Sequence, residues 1–405
     1  MQVRPDVAIV SPFPPPGRTH DGMTGVAGYT ANLGRALSSE GASVVVVAPD
    51  EPDAPSSHRD GGVLVSRSGA RGPFALPRAI RMAADMRPRV LHLQHELFSF
   101  GGLPSIATLP MVVKSMRNHE QAAVTTIHQV VNIEQVGPEF LEMHRLRGPV
   151  ALARAAMNAY QGVLASIGPT IVHETGFLEQ FPNAAVIPHG VEVRMSPPRE
   201  VARGRLGLAG ERHLVVLCFG FVAPYKGLEL ALAAASEAPE VLMVVAGGNH
   251  PRHGHEYAEA VRSRWGGEAR FTGWLSESEI ATWHSAADVA LFCYPAPHSS
   301  SGAVAMALAY GTPLLASNAL AGCMGLPPGL AVSLDQGELA ESLRMMAADR
   351  SSLEGMAQTA SRLAAGRGWP QVARRHLEIY DRVASETVGE APVPIDAESD
   401  QLESV

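Results

Sequence analysis

Four stretches of this 405-residue chain bring glycine, histidine, serine and lysine together at spacings that suit an anion and neighbouring hydroxyls. The first spans residues 12–28, where Gly22, Gly25 and Gly28 lead into a helical pattern. Bare backbone there lets a ligand come close, and the free amides of a helix start favour negative charge. The spacing is not GxGxxG, so a merely flexible loop is the competing reading. The second stretch is Leu91-His-Leu-Gln-His-Glu96, followed by Phe98 and Gly101-Gly102, and the third is Thr125-Thr-Ile-His128. Each places histidine at or just past a strand end, and histidine titrates near neutrality, donating from one ring nitrogen and accepting at the other. It can hold a hydroxyl or share a developing charge, although a lone histidine is more often a satisfied structural residue. HLQHE is not the HExxH zinc pattern, so no metal is expected from it.

The fourth set comprises Phe219 to Gly227, Gly247-Gly248, Phe271-Thr-Gly-Trp274 and His298-Ser-Ser-Ser-Gly302. Lys226 follows a glycine turn and offers a point charge to a phosphate; Ser300, Ser301 and Gly302 offer hydroxyls and free amides at a helix start, which suits a diphosphate. A solvated lysine and an ordinary N-cap are the plainer readings. The four sets fall at successive strand ends, and that conjunction favours a ligand cleft.

The elements that must position these groups follow from periodicity. Short β-branched runs alternate with helical patterns, the signature of a parallel sheet covered by helices. Strands are expected at Val7–Val10, Ser43–Ala48, Val63–Ser66, Val90–Leu93, Ala123–Thr126, Val163–Ser166 and Ala185–Ile187, with helices at Tyr29–Glu40, Pro149–Tyr160 and Thr170–Gln180. A second alternating set has strands at Leu214–Val222, Val241–Ala246, Arg270–Phe271, Asp288–Tyr294 and Leu314–Ala316. Between the sets, Pro197 and Pro198 in Met195–Arg212 break any helix and predict an exposed connection. Ser276 and Glu279 form a capping-box pattern. Gln336–Arg350, Ser351–Gly366 and Trp369–Ser385 read as closing helices, and the acidic stretch 386–405 as a disordered tail.

At 42.8 kDa the chain is long enough for two domains, and 46% hydrophobic against 18% charged residues supplies their cores. The formal charge of -8 gives no global positive field, so nucleic acid is not an expected partner. Cys218, Cys293 and Cys323 form no CxxC pair and read as reduced, buried thiols, which suits the cytoplasm. The N-terminal text lacks the apolar run of a signal peptide, and no stretch approaches the roughly 20 apolar residues of a transmembrane segment.

The order of motifs, from the early glycine loop through QHELFSFGG at 94–102, TTIHQVV at 125–131, VIPHGV at 186–191, GFVAPYKG at 220–227, FTGW at 271–274 and SSGAVAMALAYGTPLLAS at 300–317, resembles the retaining nucleotide-sugar glycosyltransferases of family four. The likeness runs from about Val7 to Tyr380 and is similar to a bacterial subgroup. It implies the α/β GT-B fold, two doubly wound Rossmann-like domains facing across a cleft. Residues 1–198 would bind the acceptor, 205–367 the nucleoside-diphosphate sugar, and 369–385 would form a helix crossing back to the first domain.

The resemblance further implies His128, Lys226 and Ser301 as catalytic. The donor would meet Gly25, Gly220, Lys226, Gly248, Gly273, Trp274, His298, Ser300, Ser301, Gly302 and Met306, and the acceptor His95, Glu96 and Phe98. Two departures from the family pattern stand out: Phe221 is where the family has arginine, and His298 and Met306 are where a Glu-x7-Glu pair is usual. A thioether cannot accept two hydroxyl hydrogen bonds as a carboxylate does. There is no Asp-x-Asp motif, so a metal-independent transferase with no cofactor is expected, its leaving group neutralised by the protein. A nucleotide-sugar 2-epimerase-like isomerase and a catalytically degenerate donor-binding subunit are the alternatives.

Overall fold

The computed structural model describes residues 4–388 apart from 19–24, 53, 98, 101, 119–120, 144–145 and 251–253. Gly22, Phe98, Gly101 and the tail beyond residue 388 therefore lie outside the described residues.

The first sheet is built from β1 (Val7–Val10), β2 (Val44–Ala48), β3 (Ser57–Asp60), β4 (Val63–Arg67), β5 (Val90–His95), β6 (Ala123–Ile127), β7 (Thr170–Val172) and β8 (Ala185–Val186). Its order is β3-β4-β2-β1-β5-β6-β7-β8, parallel except for the β3 edge. The second sheet comprises β9 (Leu214–Phe219), β10 (Val241–Ala246), β11 (Ala269–Gly273), β12 (Val289–Phe292), β13 (Leu314–Ser317) and β14 (Ala331–Val332). It is wholly parallel in the order β11-β10-β9-β12-β13-β14. The β-branched runs are continuous because both sheet faces are covered: Val7 and Ile9 enter one apolar cluster, Ala8 and Val10 the opposite one. In each sheet the order reverses beside a central strand, at β1/β5 and at β9/β12, so the crevices open where the candidate residues fall.

Four expectations need correction. Val163–Ser166 is no strand: the helix Val150–Ala165 continues through it, with Met157, Tyr160, Gln161 and Leu164 buried at helical spacing. The strand follows instead, at Thr170–Val172, with a 3-10 turn over Thr175–Glu179 where a helix was expected. Gly168 admits this strand to the sheet, since a Cβ there would lie 2.2 Å from the Ala123 carbonyl oxygen. The polar strand Ser57–Asp60 escapes an apolar-run reading because it is an edge, joined to β4 by Gly61-Gly62, both at positive φ. The connection Met195–Arg212 carries a helix, Arg199–Arg205, whose start Pro198 permits. Arg199 and Arg203 bind the buried Asp288, and Arg203 donates to it at 2.8 Å.

The capping box at Ser276 and Glu279 forms. The last helix, Trp369–Val388, runs three residues into the expected tail. Its Val372, Ile379, Tyr380 and Val383 pack with Val7, Ile9 and Leu33 of the first domain, so the chain returns to cover the sheet it began. Among the described residues, no helix is long and apolar enough to cross a membrane.

Candidate active site

The second-domain face is shaped by close backbone approach. Gly220, just past β9, has φ +111°, and a Cβ there would lie 2.4 Å from Lys226 Nζ and 3.3 Å from the Ala303 Cβ. Gly227 at φ +64° turns against the Cys293 carbonyl, where a Cβ would approach to 1.9 Å. Gly247 lies as tightly against the Gly220 carbonyl, and Gly248 against Trp274. Only glycine fits these strand ends together. The Lys226 ammonium is thereby drawn inside: it is 9% exposed and lies 5.4 Å from the Tyr294 ring centre. Among the described residues, no carboxylate forms an ion pair with it, and burial lowers its pKa. An unpaired buried ammonium is costly, and an anion in the cleft would relieve it.

The helix Gly302–Ala309 begins beside this lysine. Ser301 is its N-cap, with Oγ accepting from the Val304 amide at 3.2 Å and sharing a 3.0 Å hydrogen bond with the Tyr294 hydroxyl. The plainer reading of this serine is therefore right for its side chain. The Gly302 and Ala303 amides, at the first two helical positions, have no intrahelical acceptor. Gly302 is exposed, Met306 half-buried, and Trp274 exposed. Gly273 keeps φ +71° and bridges Gly247. Phe221, in the place of the family's arginine, packs edge-on to His250 and tilted against Trp274.

Across the cleft the first domain contributes strand ends of another character. Gly25 opens the helix Gly25–Ser39, and a Cβ there would meet nothing within 4 Å among the described residues. His128, one residue past β6, is buried, and both ring nitrogens are engaged: Nε2 with the Gln94 side chain, Nδ1 with His173 Nε2 at 3.1 Å. The expected direct hold on a hydroxyl through this ring therefore requires one of these bonds to give way. The Tyr29 ring covers His128, His173, His189 and Trp369 at centroid distances of 4.8–5.2 Å. Burial drives the His128 pKa well below its ordinary value, and pushes His173 down to about 3 and His189 to about 4.

His95 is buried: its Nδ1 meets the Tyr160 hydroxyl at 2.9 Å and its ring stacks on Phe100. Burial lowers its pKa to about 3. Glu96 is half-buried nearby.

The two faces touch at several points. The Val130 amide donates to the His298 carbonyl at 2.7 Å, and His298 packs edge-on to Phe140. The Ser300 hydroxyl donates to Glu174, a buried carboxyl that also lies 4.0 Å from Arg367. Burial lifts the Glu174 pKa to about 7, opposed by Arg367 and the Ser300 bond. Sequence reasoning missed His173 and Glu174 because a helix over Thr170–Gln180 hid the strand end that aims them. His189 sat unremarked inside VIPHGV.

Two doubly wound parallel sheets with their strand ends facing one cleft, and a last helix returning to the first, define the GT-B fold. The same fold is found in sucrose-phosphate synthase from Thermosynechococcus elongatus, with a TM-score of 0.75 and 21% identity over 94% of this chain and 99% of that one. HepE from Anabaena, in complex with UDP-glucose, matches at a TM-score of 0.65 and 15% identity over 93% and 99%. The catalytic domain of starch synthase IV from Arabidopsis thaliana, bound to ADP and acarbose, matches at 0.65 and 14% over 94% and 99%. Residues 23–194 match the model of the family described as Glycosyltransferase Family 4. A comparison with curated protein sequences finds no match.

Proposed function

We infer that this protein is a retaining glycosyltransferase that moves a sugar from a nucleoside diphosphate to an acceptor without a metal ion. The observation that carries this reading is the buried Lys226 ammonium, without an ion-pair partner among the described residues and seated on Gly220 beside the capped start of the helix Gly302–Ala309. A diphosphate placed there would meet one cation and the Gly302 and Ala303 amides, a charge-assisted set that strengthens as negative charge grows on the leaving group. Several structural relatives carry UDP, UDP-glucose or ADP, which supports a nucleotide donor.

In this reading Gly25 approaches the diphosphate from the other lobe, and the sugar lies between His128 and the 298–302 loop. The segment Pro295–Tyr310 has no acidic residue, so the leaving diphosphate itself accepts the acceptor's proton on the face from which it departs, giving retention. His298 and Met306 then select the donor and take no part in the bond change. The test is product stereochemistry by NMR in the presence of EDTA, after screening nucleoside-diphosphate sugars for thermal stabilisation. Retained configuration with undiminished rate is expected. Inverted product or loss of activity in EDTA overturns the mechanism, isomerised donor without transfer points to the isomerase, and binding without turnover to a donor-binding subunit.

A further inference from the structure

The buried polar groups behind His128 form one continuous chain. The Tyr380 hydroxyl lies 2.5 Å from His92 Nδ1, and His92 Nε2 lies 2.8 Å from Thr126 Oγ1 and 3.3 Å from the Gln94 amide nitrogen. The Gln94 side-chain oxygen is placed against His128 Nε2, His128 Nδ1 is 3.1 Å from His173 Nε2, and His173 Nδ1 is 2.9 Å from the Ile187 carbonyl oxygen. Tyr380 belongs to the returning helix Trp369–Val388, whereas the other end of the chain is the strand β8 edge.

A carbonyl oxygen only accepts, so His173 must carry its proton on Nδ1. As a neutral ring it then accepts at Nε2, which forces His128 to donate from Nδ1 and to accept at Nε2. The Gln94 partner at Nε2 must therefore be its NH2 group, which turns the amide oxygen toward His92 Nε2. With His92 donating from Nε2, where Thr126 Oγ1 lies at 2.8 Å and the Gln94 amide at 3.3 Å, and accepting at Nδ1 from the Tyr380 hydroxyl, the run from Tyr380 to the Ile187 carbonyl has one direction. With the Gln94 oxygen facing His128 instead, a ring in the chain must become an imidazolium, and among the described residues no carboxylate hydrogen-bonds to His92, His128 or His173. The amide orientation is thus decided by the proton count, as amide oxygen and nitrogen have nearly the same shape.

We propose that this one-directional chain fixes His128 as a neutral Nδ1–H tautomer, and that Tyr380, His92, Gln94 and His173 are positioning residues linking the returning helix to the cleft wall. They act through His128 and touch no substrate. Fixing a ring's tautomer from behind is an effective way to hold a site group, because reversing one donor reverses all of them.

The test is long-range nitrogen NMR on the full chain labelled with 15N-histidine, His128 being assigned by its loss in His128→Gln. At pH 7.5 the wild-type protein is expected to show His128 and His173 as neutral Nδ1–H rings. His128 as the Nε2–H tautomer or as an imidazolium overturns the proposal, and this reading needs no variant to fold. Gln94→Glu keeps the shape and, when ionised, leaves only acceptors toward His128, so His128 should become doubly protonated, whereas a protonated carboxyl there would keep it the neutral Nδ1–H ring; the Nε2–H tautomer in this variant also overturns it. The activity arm rests on the glycosyl-transfer reading: in Gln94→Glu, kcat should fall at least about 10-fold while donor KM stays within about 3-fold. If the tautomers are as stated but no nucleoside-diphosphate sugar is turned over by the wild type, the chain stands and the transfer reading falls.

Discussion

The two walls of the cleft solve opposite problems. On the first-domain wall His92, His128 and His173 are paired through both ring nitrogens, and Tyr29 packs against His128 and His173, so these three rings are satisfied before any ligand arrives. On the second-domain wall an ammonium is buried with no ion pair to a described residue, and two helix amides lack an intrahelical acceptor. A satisfied wall can hold geometry, and an unsatisfied one can gain free energy by binding. In the proposed reading, binding falls to the second domain and positioning to the first.

The largest break in this comparison should come from acid. Burial holds the pKa of His95 and His173 near 3 and of His189 and His376 near 4, whereas an unfolded chain protonates histidine near 6.5. The unfolded state therefore binds more protons below pH 6.5, and stability present above that pH is lost as pH falls toward the folded values, at about 1 kcal/mol per ring by pH 5.5. Thermal unfolding between pH 7.5 and 5 should show a steep fall in Tm. A flat profile would mean that these rings are not buried neutral.

Gly220→Ala attacks the other wall. With φ +111° and Lys226 Nζ 2.4 Å from the new methyl group, the ammonium must move, so kcat/KM should drop on the order of 100-fold. The same change at Gly25 meets nothing within 4 Å among the described residues, so a rise in donor KM there is expected to report the ligand.

Gly302→Pro removes one helix-start amide at a position where proline is tolerated, and Ser301 before it already has the extended backbone a proline requires, at φ -88° and ψ 105°. Turnover should fall about 10-fold with Tm nearly unchanged.

The smallest effect concerns the seam. The folded Glu174 pKa of about 7 lies above its unfolded value of 4.5, so burial destabilises the fold as pH rises through 7. Glu174→Gln keeps an acceptor for Ser300, and its stability relative to wild type should rise between pH 5 and pH 8 in denaturant titrations. An unchanged difference across that range would place the carboxyl in solvent.

Sequence alone made the binding wall legible because its signals are local: Gly220, Lys226 and Gly227 lie within one turn, and Ser301 and Gly302 within one cap. The positioning wall was illegible for the opposite reason. Tyr380 and His92 are 288 residues apart, and His128 and His173 are 45 apart, so only the parallel pairing of β5, β6 and β7 makes them neighbours. The parallel sheets were readable from β-branched runs, whereas the polar edge β3 and the short β7 were not. Three-residue Thr170–Val172 is too brief for periodicity to separate it from the helical turn that follows.

The division of labour is tested most directly by calorimetric titration of a nucleoside diphosphate and of its parent nucleoside into wild type and Lys226→Met, which keeps an unbranched chain in the buried seat. The diphosphate should bind wild type far more tightly than the nucleoside does. The substitution should remove roughly 1.5–3 kcal/mol from the diphosphate and almost nothing from the nucleoside. An equal loss for both ligands, or none for either, would contradict the assignment of diphosphate binding to the second-domain wall.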